Sequence, residues 1–169
     1  GCPFNCTFCS NKAYKELYTG LGPMVRQPSP EKVCREINRV RKDYPLKSVR
    51  FDDEVFLLDR DWLLAFLDRY SSEVRLPFSC LIRADTATPE MIRAMKNAGC
   101  YIAYFGIESG NDYIRNRILG KNVDRQQIID TARLLRKHRI KIGTFNMVGM
   151  PGETIENAWE TVRLNQIIR

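Results

Sequence analysis

Cys2-Pro3-Phe4-Asn5-Cys6-Thr7-Phe8-Cys9 places three cysteines within eight residues, separated by three and then two positions. That spacing is too tight and too asymmetric for a pair of fold-stapling disulfides, and it suits three thiolates that grip one object. A structural zinc site takes four ligands, usually Cys or His. The only histidine, His138, lies far along the chain in a stretch with helical periodicity. The remaining cysteines, Cys34, Cys80 and Cys100, are isolated and form no second Cys-x-x-Cys pair. Iron-sulfur clusters are held by thiolates and normally take four. A cubane held by three leaves one iron open to a non-protein ligand.

Beyond the cysteines, residues 10 to 28 read as irregular, broken by Gly20, Gly22, Pro23 and Pro28. Ser29-Pro30-Glu31 then supplies an N-cap, a first-turn proline and an acid, and Val33, Ile37 and Val40 follow at helical spacing to about residue 43. Residues 47 to 51 read as a strand running into Asp52-Asp53-Glu54, and Asp59 caps a helix carrying Trp62, Leu63, Phe66, Leu67 and Tyr70. A second strand spans residues 76 to 82, ahead of Arg83-Ala84-Asp85. Thr88-Pro89-Glu90 repeats the helix start and Gly99 stops that helix. Residues 101 to 105 form a third strand leading to Gly106-Ile107-Glu108-Ser109-Gly110, and a short helix covers residues 112 to 119. Asp124-x-x-Gln127 opens a longer helix, residues 140 to 147 form the last strand, and a final helix holds Ile155, Trp159, Val162 and Ile167.

Strand and helix thus alternate four times, which predicts an α/β fold of parallel strands joined by right-handed crossovers. The unusual polar groups all follow strands: Asp52 and Asp53, Arg83 and Asp85, Glu108 and Ser109, and the turn from Gly149 to Glu153. In parallel α/β architectures the carboxyl ends of the strands share one face, where ligands bind. Each of these side chains also has a structural reading. Asp52 or Asp53 can cap the next loop, Arg83 can pair with Asp85, and Glu108 can cap the helix near Asp112. Gly149 and Gly152 can simply make a turn. Cys34, Cys80 and Cys100 read as buried small hydrophobes.

At 169 residues and 44% hydrophobic content the chain is one domain in size and can bury a core. It has no run of eighteen apolar residues and no leader pattern, and its cysteine usage fits a reducing compartment, so a cytoplasmic location is expected. The start at Gly1-Cys2 suggests a segment of something longer. A net charge of +7 allows nucleic acid as a substrate. The basic residues, as in Arg35, Arg39, Arg41 and Lys42 or Arg133, Arg136, Lys137 and Arg139, are spread along helices, which fits solvated faces better.

The pattern Cys-x-x-x-Cys-x-aromatic-Cys, spelled by Cys2, Cys6, Phe8 and Cys9, resembles the signature of the radical S-adenosylmethionine (radical SAM) enzymes. The resemblance implies a partial TIM barrel of six βα units, of which this chain lacks the first and last strands, so that residues 1–169 are a truncated radical SAM core. It implies that the three cysteines hold a 4Fe-4S cluster whose fourth iron is chelated by SAM, and that Phe8 lies near the adenine. Asp52-Asp53-Glu54 takes the place of the family's Gly-Gly-Glu stretch, by position and not by letters, and Asp53 is the favoured acceptor for the SAM amino group. Arg83 resembles the third-strand arginine near the SAM carboxylate, Glu108 with Ser109 the ribose contact, and Met147, Val148 and Gly149 the segment flanking adenine. The implied chemistry is one-electron cleavage of SAM to a 5′-deoxyadenosyl radical that abstracts hydrogen, with flavodoxin or ferredoxin as electron donor and no general acid or base required.

The wording around the cysteines, Phe51-Asp52-Asp53, Gly106-Ile107-Glu108-Ser109 and Val148-Gly149-Met150-Pro151-Gly152-Glu153-Thr154 is most similar to radical SAM cores that follow a cobalamin-binding domain, many of them methyltransferases. No cobalamin motif is present in residues 1–169, so the resemblance implies that any such domain lies outside them. Two other readings stay open at this stage: a cobalamin-independent radical SAM enzyme acting on RNA or a porphyrin precursor, and a non-enzymatic, metal-stabilised nucleic-acid-binding module.

Overall fold

The computed structural model describes residues 1–169. In chain order it contains α1 (Asn11–Leu17), α2 (Pro30–Asp43), β1 (Val49–Phe51), α3 (Arg60–Glu73), β2 (Phe78–Ile82), α4 (Pro89–Asn97), β3 (Cys100–Glu108), α5 (Arg125–Lys137), β4 (Lys141–Asn146) and α6 (Ile155–Ile167). The four strands form one sheet in the order β1-β2-β3-β4, and every neighbouring pair is parallel. This is the expected partial barrel of alternating strands and helices. All four carboxyl ends emerge on one face.

The helix starts are made by the caps that the sequence carries. Ser29 Oγ accepts from Lys32 N at 3.3 Å, Asp59 Oδ1 from Trp62 N at 2.9 Å and Thr88 Oγ1 from Met91 N at 3.3 Å, each meeting an N–H that a helix start leaves unpaired. Asp124 N donates to Gln127 Oε1 at 2.8 Å at the head of α5. The core lies between the sheet and the helices. Its densest part is aromatic: Phe51 at the end of β1 sits 5.1 Å from Phe56, 5.4 Å from Phe66 and 5.4 Å from Phe78, centroid to centroid. Such ring pairs contribute roughly 0.5–1.5 kcal/mol each beyond their buried area. They fix α3 against β1 and β2, which aims Asp52 and its neighbours at the carboxyl face.

Three local expectations differ from the structure. Residues 11 to 17 form α1, because the breakers only begin at Gly20. The short helix expected over residues 112 to 119 is a π-helical turn at Ile114–Ile118, a rare form that recurs at functional sites. In α6, Ile155, Trp159, Val162 and Ile167 are exposed, whereas Thr161, Leu164 and the adjacent Ile168 are buried. The cause is Gly110, against whose bare Cα the backbone of Glu160 and Thr161 packs; a Cβ there would lie 2.3 Å from Glu160 O. No helix is long and apolar enough to cross a membrane.

Candidate active site

The cysteine loop lies over the carboxyl end of the sheet, held by bonds that its own sequence supplies. Thr7 N donates to Leu119 O at 3.0 Å and Thr7 Oγ1 to Ile118 O at 2.8 Å. From α1, Lys15 Nζ donates to Phe4 O at 2.5 Å and to Asn5 Oδ1 at 2.8 Å. Between loop and sheet is a cavity of about 320 Å³. One wall carries Cys2, Cys6, Cys9 and Phe8, and the opposite walls are the ends of β1, β2, β3 and β4. A roomier hollow of about 420 Å³ between α1 and residues 18–26 shares Asn11 and Glu54 with it but reaches none of the cysteines. The chemistry therefore belongs to the smaller cavity.

All six cysteines are free thiols. No group of three or more Cys, His, Asp or Glu side chains converges as the ligands of a single metal ion do. Two of the three sulfurs receive hydrogen bonds: Asn11 Nδ2 donates to Cys9 Sγ at 3.5 Å and Arg83 Nη1 to Cys6 Sγ at 3.7 Å. Donors aimed at sulfur suit thiolates that carry a cluster.

The strand ends bring most of the expected side chains to this cavity and leave some outside. Asp52 and Glu54 line it and Asp53 does not. β1 ends at Phe51 and a turn begins at Glu54, and that turn brings Glu54 and Val55 to the cavity beside Asp52 while Asp53 stays off the wall. Although Asp53 is exposed as a residue, desolvation around its carboxyl raises its pKa above the ordinary value, and its charge is felt by the buried Cys80 thiol. Asp52 also accepts from Arg50 Nε at 2.6 Å, an exposed pair. Arg83 lines the cavity and is 7% exposed, but each of its nitrogens faces protein. Nη1 meets Cys6, Nη2 donates to Lys121 O, and Nε lies 2.7 Å from Asp85 Oδ1 without an aligned hydrogen bond. Its expected partner Asp85 is thus present, together with two that the sequence did not announce.

Glu108 reaches the cavity and does not cap the next helix; it pairs with Lys121 Nζ at 2.8 Å, both side chains only 9% exposed. The pair exists because residue 106 is glycine. A Cβ at Gly106 would sit 1.9 Å from Glu108 Oε1 and 2.6 Å from Lys121 Nζ. A register shift between Gly106 and Glu108 opposite β4, with Glu108 at φ +60°, re-aims the carboxylate toward the lysine. Ser109, expected beside it, is fully buried: its Oγ accepts from Asn111 N and its carbonyl from Arg115 Nη1 at 2.9 Å, so it secures the turn and does not line the cavity. Met147, Val148 and Gly149 also stay off the wall. β4 ends at Asn146, so the last side chain it sends inward is Phe145, while Met147 N donates to Glu108 O at 2.8 Å and Val148 and the Gly149 turn face outward.

Lys121, Gly106, Phe145 and Asn11 are the site residues that sequence reasoning missed. A single lysine in a loop 13 residues past Glu108 has no spacing to flag it. The wall as a whole offers thiolates, acceptors, a cation and apolar rings, which is the donor set required by a cluster with a zwitterionic, hydroxyl-bearing nucleoside beside it. By donor type the residues suit both groups.

The profile of the radical SAM superfamily matches residues 1–164. The chain belongs to the radical SAM superfamily. That membership implies a 4Fe-4S cluster and SAM. Among curated proteins, this radical SAM chain is 32% identical over 165 residues to an uncharacterized methyltransferase of Pyrococcus horikoshii, covering 96% of the chain and 34% of that protein. It is 27% identical over 167 residues to the cytidylyl-2-hydroxyethylphosphonate methyltransferase of Streptomyces wedmorensis, covering 92% of the chain and 29% of that protein. The chain spans about a third of the length of these relatives. Among solved structures, the radical SAM methyltransferase TsrM from Kitasatospora setae, with cobalamin and a 4Fe-4S cluster bound, superposes with a TM-score of 0.79 at 18% identity, covering 99% of the chain and 31% of that protein. That likeness is one of fold.

Proposed function

We propose that residues 1–169 form the catalytic core of a radical SAM enzyme, with Cys2, Cys6 and Cys9 holding a 4Fe-4S cluster and the strand ends holding SAM against it. The observation that carries this reading is that three unpaired cysteines, Asp52 and Glu54, and the Glu108–Lys121 pair share one cavity. Cys2, Cys6 and Cys9 would hold the cluster, which when bound and reduced would supply the one electron that splits the sulfur–C5′ bond of SAM into methionine and a 5′-deoxyadenosyl radical able to take hydrogen from a substrate. The chain's own residues bind, orient and exclude water. In this reading Asp52 and Glu54 would accept from the SAM ammonium and Glu108 from the ribose hydroxyls, with Lys121 paired beside it and Arg83 as the other cation of the wall. Phe8 packs on adenine. Val55, Leu81 and Phe105 give the cavity its apolar lining, which strengthens these charge contacts by displacing water.

We further propose that the reaction is a methyl transfer using cobalamin held by a domain outside residues 1–169, the first and last barrel strands lying outside as well. The methyltransferase names of the two relatives and the motif wording support it. The electron comes from a flavodoxin or ferredoxin, and the expected setting is the cytoplasm. Anaerobic reconstitution of the full-length protein with iron and sulfide tests the core of the reading. The expected results are a broad visible absorption, and 5′-deoxyadenosine once dithionite and SAM are added, both lost in Cys6→Ala. Tight zinc with no iron uptake refutes it. Full-length protein that makes 5′-deoxyadenosine but binds no hydroxocobalamin refutes the methyl-transfer extension alone.

A further inference from the structure

Arg83 leaves β2 in an extended conformation and is almost wholly buried, yet it points across the cavity toward the cysteine loop. Its guanidinium carbon lies 3.8 Å above the centroid of the Phe4 ring, two residues before Cys6. Nη1 reaches Cys6 Sγ at 3.7 Å, and Nη2 donates to the carbonyl of Lys121, whose side chain holds Glu108. One planar cation therefore touches an aromatic ring and a cysteine of the loop, and the backbone of the residue that anchors the opposite wall. This is not the posture of a cation waiting for a ligand carboxylate. Of the three cysteine sulfurs, Cys9 receives a neutral amide donor from Asn11, and Cys6 alone receives a cationic one.

We propose that Arg83 is a positioning residue of the cluster, acting through Cys6: it braces the cysteine loop and raises the reduction potential of the cluster that Cys6 holds. The inference rests on the radical SAM reading above. Reduction adds one electron, supplied by an external reductant, to a cluster and its three thiolates, with no bond made or broken. A cation beside one thiolate, in a cavity of low dielectric, favours the more negative, reduced state. Hydrogen bonds to ligand sulfur act in the same direction. Arginine suits this better than lysine because its fork reaches the sulfur and the Lys121 carbonyl together while its face lies on Phe4.

The test compares full-length wild type, Arg83→Met and Arg83→Lys after anaerobic reconstitution, measuring iron and sulfide content, the potential of the cluster by redox titration followed by electron paramagnetic resonance, and SAM affinity. Arg83→Met is expected to lower the potential, so that at a fixed ambient potential the ratio of reduced to oxidised cluster falls about tenfold, equivalent to about 59 mV for one electron. Arg83→Lys is expected to fall between Met and wild type. Wild-type potential in an iron-loaded Arg83→Met overturns the proposal, and if SAM affinity is then the property lost, Arg83 serves the SAM carboxylate. Should Arg83→Met hold no iron, Arg83→Lys decides: full iron with a lowered potential supports the role and full iron at the wild-type potential overturns it. Wild-type protein that takes up no iron overturns the radical SAM reading and this inference together, which separates the two failures.

Discussion

Gly106→Ala is the sharpest test of the cavity wall, because the structure says how far things must move. The added Cβ would sit 1.9 Å from Glu108 Oε1, whereas ordinary contact begins at 3.4 Å, so the carboxylate must retreat by about 1.5 Å. Lys121 Nζ would itself lie 2.6 Å from the new carbon, so both ends of the pair must move. The general cost of such overpacking is about 1–3 kcal/mol. On the proposed reading, a displaced Glu108 would also lose its hydrogen bonds to the ribose. Bonds to a charged acceptor contribute about 1.5–3 kcal/mol, or roughly ten- to hundredfold in affinity. We expect the full-length variant to bind SAM weaker by that factor in equilibrium dialysis and to unfold at lower urea. Gly143→Ala is the comparison: its Cβ would strike the Tyr104 ring at 2.2 Å, a ring that does not line the cavity but stacks on Phe145, which does, so it is expected to cost stability and to weaken SAM binding less than Gly106→Ala. Wild-type SAM affinity in Gly106→Ala would refute the assignment of Glu108 to SAM.

Two further outcomes follow from single titrating groups. The raised pKa of Asp53, caused first by desolvation, with the charges of Glu54 and Asp52 adding to it, means that the folded state holds this proton longer than the unfolded chain does. The stabilisation it confers is full below the ordinary value of 3.8 and is lost as pH rises through the raised value. Asp53→Asn is therefore expected to raise the urea midpoint at pH 7, with a gap that closes toward pH 4; a gap independent of pH would refute the cause. Burial pushes the Cys34 thiol up to about 11 from 9.0, with Glu73 adding and Arg69 opposing. At pH 8 its thiolate fraction is then about a hundredth of that of an ordinary cysteine. Iodoacetamide labelling followed by peptide mass mapping is expected to spare Cys34 until urea is added.

The parts of the fold legible in the sequence are those written by local chemistry. Ser29, Asp59 and Thr88 cap helices where their side chains meet the first free N–H groups, and strand positions followed from runs between those caps. The extent of β3 was not legible. It runs through Glu108 because pairing with β4 continues to Asn146, a long-range fact that no local pattern encodes. The face that α6 buries was misread for a similar reason: Gly110, 51 residues before Thr161, decides it, with Gly110 N donating to Thr161 Oγ1 at 2.8 Å. In the site, the cysteines were legible because a multinuclear group needs several ligands close together. Lys121 was not, because a salt bridge needs only one residue from anywhere. Asp53 was preferred over Asp52 and Glu54 by analogy of position, whereas the turn that follows β1 puts Asp52 and Glu54 on the cavity wall and Asp53 off it.

The geometry at Glu108 joins function to stability in a way that two variants can separate. Its φ of +60° puts a non-glycine residue in the left-handed region, at a cost of about 1–2 kcal/mol, and the bulge opposite β4 maintains it. Lys121 depends on the carboxylate that this strain delivers. Glu108→Gly relieves the backbone but leaves the ammonium buried and unpaired, and breaking a buried pair from one side costs about 3–5 kcal/mol. The single variant is thus expected to be less stable by about 1–4 kcal/mol. Adding Lys121→Met removes the orphaned charge, and exchanging a whole buried pair for apolar groups is often neutral or favourable. The double variant is therefore expected to recover part of that loss in urea unfolding, short of wild type because the glycine leaves the glutamate's space empty, while neither variant regains SAM affinity. A double variant no more stable than the single would show that the loss did not come from Lys121, and one that binds SAM like wild type would remove Glu108 from the site. If the recovery occurs without binding, the strained residue and its lysine are kept by this fold for the ligand and not for the stability of the sheet.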